Sequence, residues 1–170
     1  MLGFLFRGLT AEPQRGAALF AAITAETRQP HWYVEGKVPD TIDGRFAVLA
    51  TLTALAAVRI EQAGDEGNPV SVALTEQFIE VMESEHRELG IGDPTLGKKV
   101  RKLVGSLSRR VELWRRTTGG EGDWNESAHL SLYNGGASAE AILHSTEALR
   151  RYWARLERTE LQALAEGRLG

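Results

Sequence analysis

The stretch that most constrains this chain runs from Phe46 to Ile60, F-A-V-L-A-T-L-T-A-L-A-A-V-R-I, where Arg59 is the one charge among fifteen residues. Phe46, Leu49, Thr53, Ala56 and Ile60 fall on one line at helical spacing, and Val48, Leu52 and Leu55 cover the adjoining face. A helix that is apolar round most of its circumference belongs inside a core or inside lipid. Crossing a bilayer takes about 20 apolar residues, and this run is shorter and begins with Asp40, Asp43 and Arg45. The reading is a central core helix, and its surroundings must be other helices.

The start of that helix is the most informative segment. Pro39 ends what precedes it, Asp40 or Thr41 is placed to cap the first free amides, and Asp43 sits in the first turn, where negative charge suits the helix dipole. Gly44 weakens a helix at that position, so its presence points to close approach of another backbone. Arg45, beside Asp40 and Asp43, is expected to form a fixed ion-pair corner with them.

At 170 residues with 42% hydrophobic content and a formal net charge of −3, the chain suits a single domain, 1–170, that buries its own core. It has no cysteine, so disulfides and thiolate metal sites are excluded. The opening M-L-G-F-L-F-R places its charge after its apolar residues, the reverse of a secretory signal. Leu2, Phe4, Leu5 and Phe6 are a candidate contact with a membrane or partner.

The rest reads as helices punctuated by glycine and proline, about six in all. Thr10, Glu12 and Pro13 suggest the first start, and Leu19, Phe20 and Ile23 its apolar side. Arg28 to Val34 is proline-interrupted and aromatic, hence read as an extended segment across the bundle. Val70 to Leu89 is a third helix with Val72, Thr75, Phe78, Ile79 and Met82 inward and Glu76, Glu80 and Glu83 outward. Residues 117–123 are read as a flexible linker, Asn125 to Tyr133 as a short helix, and 138–166 as one C-terminal helix whose polar end extends beyond the core.

Asp93 and Pro94 open the fourth helix, with Leu96, Val100, Leu103, Leu107, Val111 and Trp114 on one stripe. Its opposite side carries Lys98, Lys102, Arg109 and Arg116 nearly in line, with Lys99 and Arg110 beside them and Arg101 and Arg115 on the other flank. Three readings of this cationic face stay open: pairing with the acidic third helix, binding of RNA or anionic lipid, and plain solubility.

Motif chemistry points away from catalysis. His31, His86, His129 and His144 show no metal-ligand spacing, and no phosphate-binding, zinc-hydrolase or nucleophile-elbow pattern is present. No catalytic, cofactor-binding or metal-binding residue is assigned, no cofactor is expected and no small-molecule substrate is implied.

Taken together, Arg28-Gln29-Pro30-His31-Trp32-Tyr33, Asp40-Thr41-Ile42-Asp43-Gly44-Arg45-Phe46, and Arg87 to Asp93 running into Gly97-Lys98-Lys99 resemble the ubiquinol–cytochrome c chaperone family. The likeness extends over a core of about 28–133. It departs at His86, at Leu107-Ser108-Arg109-Arg110 and at Leu130-Ser131-Leu132-Tyr133. The resemblance implies an all-helical, non-catalytic assembly factor for respiratory complex III. Its client would be a hydrophobic protein such as newly made cytochrome b, met with a small partner protein near the ribosome. The structural motif is then Asp40, Thr41, Asp43, Gly44, Arg45 and Phe46, and the partner-binding basic face Lys98, Lys99, Lys102, Arg109 and Arg116. The expected location is the bacterial cytoplasm, peripheral to the inner membrane. The alternative is a ribosome- or RNA-binding adaptor acting through the basic helix, 95–116.

Overall fold

The computed structural model describes residues 16–170. The candidate first helix start at Thr10–Pro13 and the apolar residues Leu2 to Phe6 lie outside them. Among the described residues the elements are α1 (16–27), a 3-10 turn Pro30–Trp32, α2 (Ile42–Glu61), a second 3-10 turn Gly64–Gly67, α3 (Asn68–Glu88), α4 (Asp93–Thr118), α5 (Trp124–Leu132), α6 (Ala139–Arg158) and the short α7 (Leu161–Ala165). No strand occurs among them, so the fold is all-α. No described helix is long and apolar enough to cross a membrane.

α2 is the axis of the bundle. Val48, Leu52, Leu55 and Ile60 are fully buried, and α3, α4, α5 and α6 all pack against the helix. A helix with apolar residues on every side needs partners on every side, and these four supply them. Burying a Leu or Ile side chain contributes roughly 1.5–3 kcal/mol each, so this one helix supplies much of the core. Its single charge is put to use. The Arg59 guanidinium donates to the carbonyl oxygens of Leu156 (3.0 Å), which also accepts the Thr159 amide, and of Thr159 (2.9 Å), where α6 ends.

That contact corrects the reading of one C-terminal helix over 138–166. Ser138 caps α6 as the sequence suggests, accepting from the Ala141 amide, but the helix stops at Arg158 because Thr159 and Glu160 are extended. α7 then turns back, and Leu164 and Ala165 are buried in the core rather than projecting beyond it.

Two other expectations change. Arg28–Val34 is not an extended strap but a compact 3-10 turn that closes α1. The Trp32 indole N–H donates to the Glu26 carbonyl (3.1 Å) and the Tyr33 hydroxyl to the Thr27 carbonyl (2.9 Å), so two aromatic side chains satisfy the last carbonyls of α1. In α3 the inward line is Val70, Ala73, Leu74, Phe78 and Met82, whereas Val72 and Thr75 face solvent and Ile79 is half-buried. With apolar residues on several sides of α3, small Ala73 carries the seam and the register rotates.

Residues 117–123 hold the end of α4 and a tight turn. Thr117 is buried, with its hydroxyl 2.7 Å from that of Ser127, and Asp123 caps α5 by accepting from the Glu126 amide.

Candidate functional site

The motif at the start of α2 is built around a very close backbone contact. Thr41 caps the helix, its hydroxyl accepting from the Gly44 amide (3.1 Å). A Cβ on Gly44 would lie 1.8 Å from the Pro39 carbonyl oxygen, so only glycine lets residue 39 fold over the first turn. Arg45 Nε donates to Asp40 Oδ1 at 2.7 Å, and this bond is the main reason its proton is held more tightly than usual. The expected three-residue ion-pair corner is corrected on two points. Among the described residues Asp43 makes no ion pair, and the Arg45–Asp40 pair is largely solvent-exposed, so it is worth little as a clamp.

These residues border an open groove of about 660 Å³. Phe46 and Leu49 of α2, Met82 of α3 and Leu103 of α4 give it an apolar floor, and Pro30, Tyr33, Val34 and Ile42 form its walls. Thr24, Thr27 and Arg28 close the α1 side, while Asp40, Asp43, Arg45, Glu85 and His86 stand round the rim. Ile42 and Val34 are unusually exposed for such residues, at 69% and 57%. Burial raises the Tyr33 pKa from its ordinary value, opposed by nearby Arg45. An apolar trough with exposed aliphatic walls and a mixed-charge rim is suited to an apolar side chain or helix turn.

Arg110 braces the groove from behind. It is half-buried, its guanidinium lies 6.0 Å from the centre of the Phe46 ring, and it donates twice to the Ser131 carbonyl, at 2.8 and 3.2 Å. Burial, and then Arg109, weaken its hold on its proton. Ser131 also accepts from the Trp114 indole N–H at its hydroxyl (3.0 Å). The two departures at Leu107–Arg110 and Leu130–Tyr133 therefore meet in space as one α4–α5 contact.

The remaining basic-face residues behave differently. Lys98, Lys99, Lys102, Arg109 and Arg116 are all exposed. Among the described residues no ion pair within 4.0 Å joins them to Glu76, Glu80 or Glu83, so the reading of a charge-paired α3–α4 hairpin is corrected. Arg116 reaches Glu121 only at 4.0 Å, and Arg115 is drawn off the row to Glu61 and Glu112. None of the five lines the groove.

Sequence spacing gave no sign of one pair. His31 Nδ1 and His144 Nε2 lie 3.2 Å apart across 113 residues, tying the first 3-10 turn to α6. Burial first, then the charge of His144, lowers the His31 pKa from its ordinary value. No group of three or more potential metal-ligating side chains converges among the described residues.

The family model described as ubiquinol–cytochrome C chaperone matches residues 34–169. The chain belongs to the ubiquinol–cytochrome c chaperone family. The match begins after Arg28–Tyr33, the first element of the resemblance read over 28–133, and runs past its end to take in α6 and α7. A similar solved structure is the crystal structure of the Cbp3 homolog from Brucella abortus, 24% identical over 99% of this chain and 95% of that one, with a TM-score of 0.78. That likeness carries the fold. No protein of curated function matches the chain significantly.

Proposed function

We propose that this chain is a non-catalytic assembly chaperone for the cytochrome bc1 complex, respiratory complex III, and that it holds a newly made hydrophobic subunit, cytochrome b foremost, by an apolar segment laid in the groove. The observation that carries the reading is convergence. Two of the elements that carry the resemblance, Arg28–Tyr33 and Asp40–Phe46, border one groove with an apolar floor, beside Glu85 and His86 of α3, while the third, Arg87 to Lys99, lies outside it. Membership of a chaperone family supports a protein client, and the fold shared with the Cbp3 homolog supports the same architecture for the task.

On this reading 1–170 acts as one helical unit working at the cytoplasmic side of a bacterial inner membrane, beside a small partner protein if its client demands one. Ile42 and Val34 are the contact residues, because a client side chain covering them removes exposed aliphatic surface from water at roughly 25 cal/mol per Å². The test is genetic. Deleting the gene in its native host should lower assembled complex III, and the wild-type chain should restore it while Ile42→Asp with Val34→Asp should not. Normal complex III levels in the deletion strain would refute the proposal.

A further inference from the structure

Lys98, Lys99, Lys102, Arg109 and Arg116 of α4 do not line the groove, and their arrangement has its own logic. Lys98, Lys102, Arg109 and Arg116 follow one another along a straight helix side, eighteen residues from first to last, or about 27 Å at 1.5 Å per residue. Lys99 and Arg101, both exposed, widen the row. Glu112 is the one acid in this stretch, and it is already engaged by Arg115. Concentrating this much positive charge on one side of a chain with net charge −3 costs self-repulsion that an extended anionic partner relieves.

The shape of the face selects the partner. A single-stranded nucleic acid is held by a groove that tracks its backbone and by aromatic rings on which bases stack. Here Trp114 is the one aromatic residue between Asp93 and Thr118, and it is fully buried. The cations stand on a convex helix side outside the groove. The loop leading into α4 exposes Leu89, at 61%, an apolar side chain able to enter a lipid headgroup layer.

We propose that the Lys98–Arg116 face of α4 is a docking surface for an anionic phospholipid bilayer, laying α4 along the headgroups. Each cation near such a surface strengthens partition about fivefold, and the attraction fades beyond a Debye length of about 8 Å at physiological salt. The inference stands apart from the client reading, since its test contains no client.

The full chain is sedimented with vesicles of phosphatidylcholine alone or with one-third phosphatidylglycerol, and titrated in parallel with a single-stranded RNA oligomer. Binding to the anionic vesicles only, weakened by salt, is expected. Lys98→Gln, Lys102→Gln and Arg109→Gln together should reduce it about a hundredfold with the helical melting curve unchanged. Absence of vesicle binding at low salt would overturn the proposal. So would vesicle binding indifferent to the triple change, or an RNA affinity that exceeds the lipid affinity and falls with the same three substitutions.

Discussion

Replacing Gly44 with alanine isolates the contact on which the start of α2 depends. The new methyl would sit 1.8 Å from the Pro39 carbonyl oxygen and 2.9 Å from its carbon, both backbone atoms that no rotamer change can move aside. Relief requires shifting Pro39 or the first turn of α2 by more than an ångström. Overpacking of this sort costs about 1–3 kcal/mol, and disturbing the Thr41 cap adds about 1 kcal/mol. Alanine's better helix propensity returns at most about 1 kcal/mol. The net destabilisation is about 1–3 kcal/mol, which for a chain of this size lowers Tm by roughly 2–12 °C. Gly105→Ala is the control. Its methyl would meet only the movable Arg109 side-chain tip at 3.6 Å, so the propensity gain of about 1 kcal/mol should appear undiminished and raise Tm. Thermal melts followed by circular dichroism should therefore move in opposite directions. If Gly44→Ala melts at or above wild type, the close approach of Pro39 is not what requires glycine there.

Arg59→Met should cost about 2–3 kcal/mol, since two bonds from a charged donor to the end of α6 are lost; urea titration would show it, and hydrogen exchange should quicken first around Leu156 to Thr159. Arg110→Met keeps the aliphatic cover behind Phe46 but deprives the Ser131 carbonyl of both guanidinium bonds, an expected loss of about 1.5–3 kcal/mol in the same titration; an unchanged midpoint would mean that α4 and α5 do not rely on this link. Because the His31 pKa is lowered in the folded chain, the unfolded chain binds more protons just below the ordinary value of about 6.5. The stability from His31 is thus full above about pH 6.5 and declines as pH falls through the lower folded value. His31→Gln should flatten the difference in urea midpoint between neutral and mildly acidic pH, and a difference of the same size in that variant would assign the dependence to other groups.

The parts of this fold that were legible in the sequence are those governed by local rules. The burial of α2, the caps at Thr41 and Ser138, the apolar stripe of α4 and the need for glycine at position 44 each depend on residues within a turn or two. The misreadings have a common cause in long-range partners. The break of α6 at Thr159 is met by Arg59, a hundred residues away in the chain from Thr159, and the last carbonyls of α1 are met by the Trp32 and Tyr33 side chains. The α3 register failed because Val72 and Thr75 looked like core while Ala73 did not, a choice that only the packed neighbours decide. At the groove, the lining residues Asp40, Ile42, Asp43, Arg45 and Phe46 could be named from the motif, but Met82 and Leu103 join them only through folding, and Arg110 passed as one more surface cation. No spacing rule connects His31 with His144.

The most direct test of the groove as client site is co-isolation of newly translated cytochrome b with the tagged chain from a cell-free reaction supplied with membranes. Wild type is set beside a groove variant, Ile42→Asp with Val34→Asp, and a control, Leu130→Asp with Leu143→Asp, which alters equally exposed apolar residues away from the groove. All four positions are exposed, so the variants should fold as wild type does. The account predicts that wild type and control retain cytochrome b while the groove variant loses most of it. Equal retention by all three, or loss in the control alone, would contradict it.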